Sequence, residues 1–443
     1  MTIQGGGIMT RRQKRFGARP EAAAERVAGG GLLHRRTLLT AGAVATGAIA
    51  AGRVGTAAAQ TGSLEVPPWM QVPGRPMSGY GLPSKYEEHV QRSAVQPYGD
   101  MAPASGASFT PLEKLEGTTT PNGLHFERHH NGVPDIDPAA HRLAIHGLVR
   151  QPLVFSVDDL LRYPMTTYTR FIECSGNSLF NAFPEPRQVP AGMIHGLVSC
   201  SEWTGVSLAT LLDEAGIEAA GTWLLAEGAD AAGMSRSIPM QKALDDVILA
   251  LYQNGERIRP EQGYPMRLVV PGFEGNMNVK WLRRLKVTDG PTHTKDETSK
   301  YTELMPDGRA RQFTYLCRVK SVILRPSFGF TVPGPGWYEI SGLAWSGAGK
   351  VAKVEVSADG GASWAEALLQ EPVRPQALTR FRMPWVWEGG PVRLQSRATD
   401  EHGDTQKTRE IWYAQYRPTQ IYHYNAIQTW QVNESGEVSN VYV

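Results

Sequence analysis

The 443-residue sequence predicts an α+β protein, in which a mixed α/β domain is followed by an immunoglobulin-like β-sandwich. Three observations predict this fold class. Helix and strand patterns alternate over residues 121–308, short strands with turn signals replace them over 309–443, and the content of 41 % apolar and 20 % charged residues is typical of globular chains. Residues 1–59 and 60–120 are predicted to be a leader and an extended arm.

The leader has the pattern of a twin-arginine export signal. Arg35 and Arg36 directly precede an apolar stretch, rich in Ala and Gly, at residues 38–51. This stretch is shorter than the ~20 residues that a membrane-spanning helix needs. Three alanines at 57–59 suit cleavage near residue 60. We expect a periplasmic protein whose mature form has no membrane span; a retained N-terminal anchor is the alternative.

Charge and cysteine content narrow the functional classes. The formal net charge is +2, but residues 1–59 hold nine basic and two acidic residues, which leaves 36 basic and 41 acidic residues in the remainder. A mildly acidic body argues against nucleic acid as a partner.

The three cysteines, Cys174, Cys200 and Cys317, are too few and odd in number for a disulfide framework. We interpret Cys200 and Cys317 as packed or paired, and Cys174 needs another explanation.

Two helices are predicted in the α/β region. "SVDDLLRYP" begins with Ser156 as the N-cap and ends before Pro164. "SLATLLDEAG" has Ser207 as its N-cap and is expected to end at Gly216.

Strands are predicted from apolar, β-branched runs between turn signals. An Asn-Gly turn is expected at 254–255. No strand leads into a Gly-x-Gly-x-x-Gly turn, so we do not expect a Rossmann site for nicotinamide or flavin. The predicted strands are "HRLAIHGLV", "TTYTRFIEC", "TWLLAEG", "VILALYQNG", "YPMRLVVPG" and "VKWLRRLKVTD".

Cys174 lies where an apolar run ends, in "FIECSGN". A structural thiol would more naturally lie inside the run, packed as a small apolar side chain. The position therefore predicts a thiol that projects from the end of a strand into a cleft.

Spaced motifs in one order give a family resemblance. Together with "CSGN" at 174–177, the segments "FERHH" at 126–130, "QGYPMRLVVPG" at 262–272 and "NVKWLRRLKV" at 278–287 resemble the sulfite oxidase family of molybdenum enzymes. The likeness runs from about residue 120 to the C-terminus, and "AWSGAGKVAKVEVSADGGASW" at 344–364 is similar to that family's dimerisation domain. The resemblance implies a molybdopterin-binding domain followed by a dimerisation domain, in a homodimer or a heterotetramer.

The resemblance also implies the cofactor and the site. Cys174 matches the cysteine that binds molybdenum in the molybdenum cofactor, Mo-molybdopterin, for which a soft thiolate is a suitable ligand. Tyr301 matches an active-site tyrosine, and Gln262 stands where relatives have a pterin-contacting histidine. The other positions that match cofactor-contacting residues are Phe126, Arg128, His129, His130, Asp230, Arg267, Asn278, Val279 and Lys280.

Departures from the family pattern bear on the substrate. Relatives that oxidise sulfite hold this small dianion with several arginines, of which Arg128 clearly remains here. Leu179 and His423 stand where two others are expected, and Met193 lies near the position of a pocket tryptophan. We expect His423 to act as a partial cation among the catalytic residues. A more apolar pocket should bind free sulfite poorly.

Within the family, the sequence looks most like members that oxidise sulfane sulfur carried on a cysteine of a separate carrier protein during thiosulfate oxidation. Oxo transfer at molybdenum and a c-type cytochrome subunit as electron acceptor are then implied. Cys-x-x-Cys-His is absent, so we expect no haem in this chain. The alternatives are a sulfite dehydrogenase that reduces cytochrome c, and a non-catalytic binding or assembly protein. A reductase acting on oxidised methionine is disfavoured by the sandwich.

Overall fold

A computed structural model describes residues 26–34, 66–98, 102, 104–416 and 422–443. The predicted α+β class is confirmed: three sheets and five short helices are followed by two facing sheets of a sandwich. In the described ranges, no helix is long and apolar enough to cross a membrane. The leader's predicted apolar stretch at 38–51 lies outside the described residues.

Up to residue 288, the described residues form thirteen strands in three sheets. A small antiparallel sheet has the order β1–β2–β3, and two five-stranded sheets follow. The strands are β1 (Ser93–Val95), β2 (Gly106–Phe109), β3 (Glu127–His129), β4 (Leu143–Gly147), β5 (Leu153–Phe155), β6 (Met165–Glu173), β7 (Val198–Ser207), β8 (Trp223–Gly228), β9 (Ser235–Pro239), β10 (Ile248–Gln253), β11 (Glu256–Arg257), β12 (Arg267–Val269) and β13 (Leu282–Thr288).

The cysteine motif lies at the C-terminal end of an edge strand, because β6 is the last strand in its sheet and ends at Glu173. One sheet runs β11–β10–β7–β6 with β12 also on β10, and the other runs β5–β4–β13–β8–β9 with β4 and β13 parallel. The apolar faces of β6 and β7 bury Phe171 and Cys200 as direct neighbours across the pair. The predicted turn after β10 is present, because Asn254 and Gly255 both have positive φ.

Five short helices cover the sheets: α1 (Val157–Leu160), α2 (Ala191–His195), α3 (Leu208–Ala215), α4 (Met240–Asp245) and α5 (Lys295–Thr298). The Ser156 hydroxyl accepts from the Asp159 backbone N–H, which confirms that predicted cap. Ser207 also precedes its helix, but its side chain makes no capping hydrogen bond. Ser207 is also the last residue of β7, and α3 begins without a side-chain cap. Gly216 ends α3 as predicted.

A two-stranded hairpin, β14 (Glu303–Leu304) and β15 (Ala310–Arg311), leads into the predicted sandwich. One sheet has the order β16–β17–β21–β20 and the other has the order β19–β18–β22–β23–β24. The strands are β16 (Lys320–Arg325), β17 (Gly336–Trp345), β18 (Val351–Ser357), β19 (Ala365–Glu366), β20 (Leu368–Leu369), β21 (Thr379–Trp387), β22 (Val392–Asp400), β23 (Thr429–Val432) and β24 (Val438–Val441).

The sandwich contains a helix that the sequence pattern did not predict, α6 (Arg409–Gln415). Thr408 caps it by accepting from the Ile411 backbone N–H, and its single buried side chain is Trp412. A helix of seven residues that buries one side chain has too little apolar periodicity to be read from sequence.

The predicted arm divides into two parts. From Val66 to Glu88 the side chains are almost all exposed, including Trp69 at 77 % and Met77 at full exposure. Strand β2, by contrast, is fully buried and pairs with β3, which carries Arg128. The end of the predicted arm therefore helps to build the wall from which the "FERHH" segment projects.

Candidate active site

Cys174 directly follows β6 and is held by backbone contacts. Its N–H donates to Leu197 O at 2.9 Å, and its carbonyl accepts from Asn177 N at 2.9 Å. A turn at Gly275–Met277 passes close by, such that a Cβ at Gly275 would lie 3.2 Å from Cys174 Cα. Burial raises the pKa of the Cys174 thiol, and the nearby Arg128 lowers it. The thiol is part-exposed at the end of its strand, as the sequence position predicts.

The thiol faces a cleft of about 690 Å³. Strand ends and loops that are far apart in sequence form this cleft, and it contains twelve of the thirteen predicted site residues; His423 lies outside it. Those twelve are Phe126, Arg128, His129, His130, Cys174, Asp230, Gln262, Arg267, Asn278, Val279, Lys280 and Tyr301.

Two cationic side chains, the buried Arg267 and the half-buried Lys280, line the cleft together with Arg128. The Arg267 guanidinium donates to Gln262 O at 2.9 Å and Asn278 O at 3.0 Å, and Lys280 Nζ donates to Glu261 O at 3.0 Å. Burial lowers the pKa of Arg267 to about 9 and that of Lys280 far below its usual value. In the described chain, no carboxylate forms a salt bridge with either residue. Cationic side chains of this kind suit a bound anion.

Buried polar atoms in the cleft also lack partners. Nε2 of His125 and both amide atoms of Asn276 make no hydrogen bond, although each is inaccessible to solvent. Burial lowers the pKa of His125 to about 3, so this ring is neutral; its Nδ1 donates to Phe126 O at 3.1 Å, which leaves Nε2 as an acceptor. A phosphate beside the cations and a hydrogen-bonding pterin near His125 and Asn276 fit these groups. The residues present therefore fit the molybdenum cofactor.

Three predicted residues support the walls of the cleft through hydrogen bonds. Gln262 Nε2 donates to Phe126 O at 2.9 Å, so its amide is used within the protein. Asn278 Oδ1 accepts from Val270 N at 2.8 Å, which ties the chain just after β12 to the residue that follows the Gly275–Met277 turn. Asp230 Oδ1 accepts from Met234 N at 3.2 Å and fixes the turn after β8.

Tyr301 and His130 form a pair at the rim of the cleft. The Tyr301 hydroxyl lies 2.9 Å from His130 Nε2, and Lys300 Nζ lies 3.2 Å from the opposite nitrogen of the same ring. Burial holds the pKa of Tyr301 well above its usual value, so the hydroxyl keeps its proton. The backbone of Tyr301 has a φ of +51°, which is uncommon for a bulky residue. Arg128 lies under the Tyr98 ring, 5.4 Å from its centroid.

His423 lies behind the cysteine loop rather than in the cleft. Its N–H donates to Ser175 O at 2.7 Å, and its Nε2 lies 3.1 Å from a carboxylate oxygen of Glu274. Burial by itself lowers the pKa of His423, but Glu274, together with Glu303 and Glu173, outweighs burial and raises it. Arg236 contacts the other oxygen of the same carboxylate at 3.3 Å. The expected cationic side chain is therefore paired with Glu274.

A buried cluster on the same side joins the cysteine loop to the sandwich. Glu173, the residue before Cys174, accepts from Lys320 Nζ at 3.1 Å, from Trp345 Nε1 at 2.8 Å and from Asn177 Nδ2 at 2.9 Å. Lys320 and Trp345 belong to β16 and β17 of the sandwich. We call these four residues the Glu173 cluster. They fix the orientation of the loop that presents the thiol.

The remaining singled-out residues lie outside the cleft. Cys200 and Cys317 are buried and free, and burial raises the pKa of both thiols. Leu179 begins the short 3₁₀ helix after the cysteine motif, and Met193 packs against the apolar cluster around Trp203. The structure thus supports the interpretation of Cys200 and Cys317 as packed thiols that are not paired with each other.

Six cleft residues were not predicted from the sequence. His125 directly precedes one segment that carried the family resemblance, Trp281 lies within another, and Asn276 lies within the turn before Asn278. Adjacency to these segments is the signal that could have found them. The six are His125, Ile172, Met234, Gly275, Asn276 and Trp281.

The chain matches two protein families. Residues 130–295 match the family described as "Oxidoreductase molybdopterin binding domain", and residues 311–430 match "Mo-co oxidoreductase dimerisation domain". Together they span most of both predicted domains.

Individual relatives and a solved structure agree with these matches. The chain is 33 % identical over 299 residues to sulfite oxidase from Gallus gallus, and 31 % identical over 349 residues to nitrate reductase [NADH] from Solanum lycopersicum. These regions cover 62 % and 69 % of this chain, but only 63 % and 38 % of the relatives. The sulfane dehydrogenase SoxCD structure from Paracoccus pantotrophus is 47 % identical, with a TM-score of 0.83, and the match covers 86 % of this chain and 98 % of that chain.

The fold, the cationic cleft and its cysteine define a molybdopterin-dependent oxidoreductase with a dimerisation domain. The chain belongs to the sulfite oxidase family of molybdenum enzymes, and its cofactor is the molybdenum cofactor.

Proposed function

We propose that the protein is a sulfane dehydrogenase, which oxidises sulfane sulfur bound to a cysteine of a carrier protein during thiosulfate oxidation. The observation that carries the proposal is the likeness to SoxCD, which extends over 98 % of that chain at 47 % identity. The cleft supports it, since it is lined by two cationic side chains, the buried Arg267 and the half-buried Lys280. They suit the cofactor better than they suit a freely diffusing dianion.

Each residue has a proposed role toward the cofactor. Cys174 supplies the thiolate ligand for molybdenum, and Arg267 and Lys280 neutralise the cofactor phosphate. Phe126, Gln262 and Asn278 keep the surrounding loops in place through the hydrogen bonds described above. When bound, the cofactor supplies two-electron oxygen-atom transfer to sulfur. The protein binds the cofactor, orients it and controls the charge around it.

Arg128 and Tyr301 are proposed to contact the substrate. The Arg128 guanidinium stabilises negative charge that develops as oxygen is added to sulfur. The Tyr301 hydroxyl is held by His130 and keeps its proton, so it donates a hydrogen bond to an oxygen of the oxidised sulfur. Each oxygen atom added comes from water, and each addition releases two protons and two electrons. A c-type cytochrome subunit is the proposed electron acceptor.

Turnover with two substrates tests the proposal against sulfite dehydrogenase. Cytochrome c reduction by the molybdenum-loaded protein and its cytochrome partner is measured with free sulfite, and with a carrier protein that bears sulfane sulfur. Strong preference for the loaded carrier is the expected result. Efficient turnover of free sulfite would instead assign the protein as a sulfite dehydrogenase. An unloaded carrier, and a loaded carrier with the Cys174→Ser enzyme, are the controls.

Location and assembly are part of the same proposal. We propose export to the periplasm by the twin-arginine route, on the strength of Arg35 and Arg36 before an apolar stretch. We also propose that the sandwich pairs two copies, as a homodimer or within a heterotetramer with the cytochrome, because it matches a dimerisation domain. Fractionation of the native host and mass measurement of the purified complex test these two points.

A further inference from the structure

The chain segment before the twin-arginine pair is bound to the folded sandwich. Residues 26–34 form a small hairpin in which Val27 N donates to Leu32 O at 3.0 Å. Leu32 and Leu33 are 0 % and 2 % exposed, and Leu32 belongs to the sandwich's apolar core. Such burial is unusual in a segment that is expected to serve as a leader.

Backbone hydrogen bonds continue a sheet of the sandwich through this segment. Strand β20 pairs with β21 only at Phe381 and Arg382. Leu33 N donates to Pro384 O at 3.1 Å, beyond the end of β20, and Leu32 forms a bridge with Trp385. The segment therefore occupies a length of the β21 edge that β20 leaves uncovered. This is the geometry of strand addition to a sheet edge.

The glycine run at residues 29–31 is required by this contact. A Cβ at Gly31 would collide with the Val386 carbonyl oxygen, and a Cβ at Gly30 would collide with the Ala358 carbonyl oxygen. Both glycines also have positive φ, +89° and +66°. Trp385 Nε1 donates to Gly30 O at 2.8 Å. The site is thus selective for glycine at these positions.

We propose that the edge of β21 is a peptide-binding site whose ligand is the chain's own segment 26–34, an extended peptide with a glycine run followed by two leucines. Gly29 N donates to Ser363 Oγ at 2.7 Å and Arg26 pairs with Glu388, so the segment also contacts the sandwich at the first glycine and ahead of the glycine run. Arg35 and Arg36 follow directly in the sequence. Binding of the segment therefore ties the export signal to a sandwich that has folded. The inference does not depend on the molybdenum chemistry.

Hydrogen exchange in the full-length chain tests the binding. We expect the Leu33 amide to exchange at least about tenfold more slowly than an unprotected amide. Gly31→Ala should abolish this protection, because its Cβ has no space. Gly74→Ala is the matched control, since a Cβ at Gly74 meets nothing within 4 Å. Protection of the β17 amides in each variant verifies that the sandwich is folded.

Two outcomes would overturn the inference: a Leu33 amide that exchanges at the unprotected rate in the wild-type chain, or equal protection in Gly31→Ala and wild type. A second measurement uses the full chain with Leu32→Asp, whose own segment should not bind. A labelled synthetic peptide with the sequence of residues 26–34 should bind this variant more tightly than it binds the wild-type chain. The same peptide with Gly31→Ala should not bind. Equal binding to both chains, or none, would contradict the proposal.

Discussion

The two sides of the Cys174 loop are both buried and both charged, yet they are built differently. On the cleft side, Arg267 and Lys280 contact backbone carbonyls and a histidine ring. On the sandwich side, Lys320 is matched by Glu173, whose second oxygen accepts from Trp345. A cation that the fold has already paired stabilises the structure, whereas a cation that forms no salt bridge among the described residues suits an anion that binds from outside. The comparison separates cofactor-binding residues from loop-positioning residues.

The largest expected effect comes from the thiol between these two sides. Cys174→Ser should lose molybdenum and lower turnover by more than about a hundredfold, because outer-shell changes alone cost up to that factor. Cys200→Ser is the matched control, since Cys200 is fully buried outside the cleft. Metal content and cytochrome reduction are measured for both. Loss of molybdenum in Cys200→Ser would show that a buried thiol outside the cleft also controls the metal.

Among these substitutions, removing one partner of the Glu173–Lys320 ion pair should lower the free energy of unfolding most. Lys320→Met leaves the Glu173 carboxylate buried without its cation, and we expect a loss of about 3–5 kcal/mol in the free energy of unfolding. The double variant Glu173→Gln with Lys320→Met should lose less than the sum of the single variants, because the charge and its partner are removed together. Denaturant unfolding of all four proteins measures this. Additive losses would show that the two residues do not stabilise each other.

On the cleft side, substitution of Lys280 should affect stability differently from substitution of the paired Lys320. In cofactor-free protein, burial lowers the Lys280 pKa below its value of 10.5 in the unfolded chain, so the unfolded state binds more protons and stability rises with pH in that range. Lys280→Met should flatten this rise below pH 10.5, and it should weaken cofactor retention by about tenfold or more. Unfolding at several pH values and cofactor release measure the two effects. If the free energy of unfolding of Lys280→Met depends on pH as that of the wild type does, Lys280 would have to be grouped with paired cations such as Lys320.

The smallest effect is expected at His423. Because this residue pairs with Glu274 behind the loop, His423→Gln should change turnover by no more than about threefold and reduce stability by about 1–3 kcal/mol. Arg128→Gln, in the cleft, is the comparison variant and should reduce turnover far more. Steady-state kinetics with the loaded carrier distinguish them. Equal losses in turnover would restore His423 to the substrate site that the sequence assigned to it.

Sequence reasoning predicted the fold class because each element carries its own local signal. Ser156 with Asp159 is a complete capping box, and the Asn254-Gly255 turn joins two strands at short range. Ten of the twelve predicted cleft residues lie in four family-like motifs, because each motif is a contiguous run; Asp230 and Tyr301 lie outside these motifs. The helix α6 was missed since only Trp412 is buried on it.

The Glu173 cluster and the binding of segment 26–34 to the sandwich were not predicted, for one physical reason. Glu173 and Lys320 are separated by 147 positions, and neither residue differs in its local pattern from an ordinary strand end. Gly31 and Val386 are farther apart still. A contact of this kind is defined only when two surfaces have folded and met. The pairing of His423 was not predicted for the same reason, because its partner Glu274 lies far away in the sequence.

The Glu173 cluster also limits how freely the two parts of this chain can be recombined. A catalytic unit cut at residue 308 would lack Lys320 and Trp345, and with them two of the three donors to Glu173. A chimera that borrows another sandwich must supply a lysine and an indole at matching places on its first two strands. The two domains are therefore separate in architecture, but they cannot be exchanged independently. Side chains of the second domain hold the loop that carries Cys174 in the first, and this contact constrains how the second domain can change in evolution.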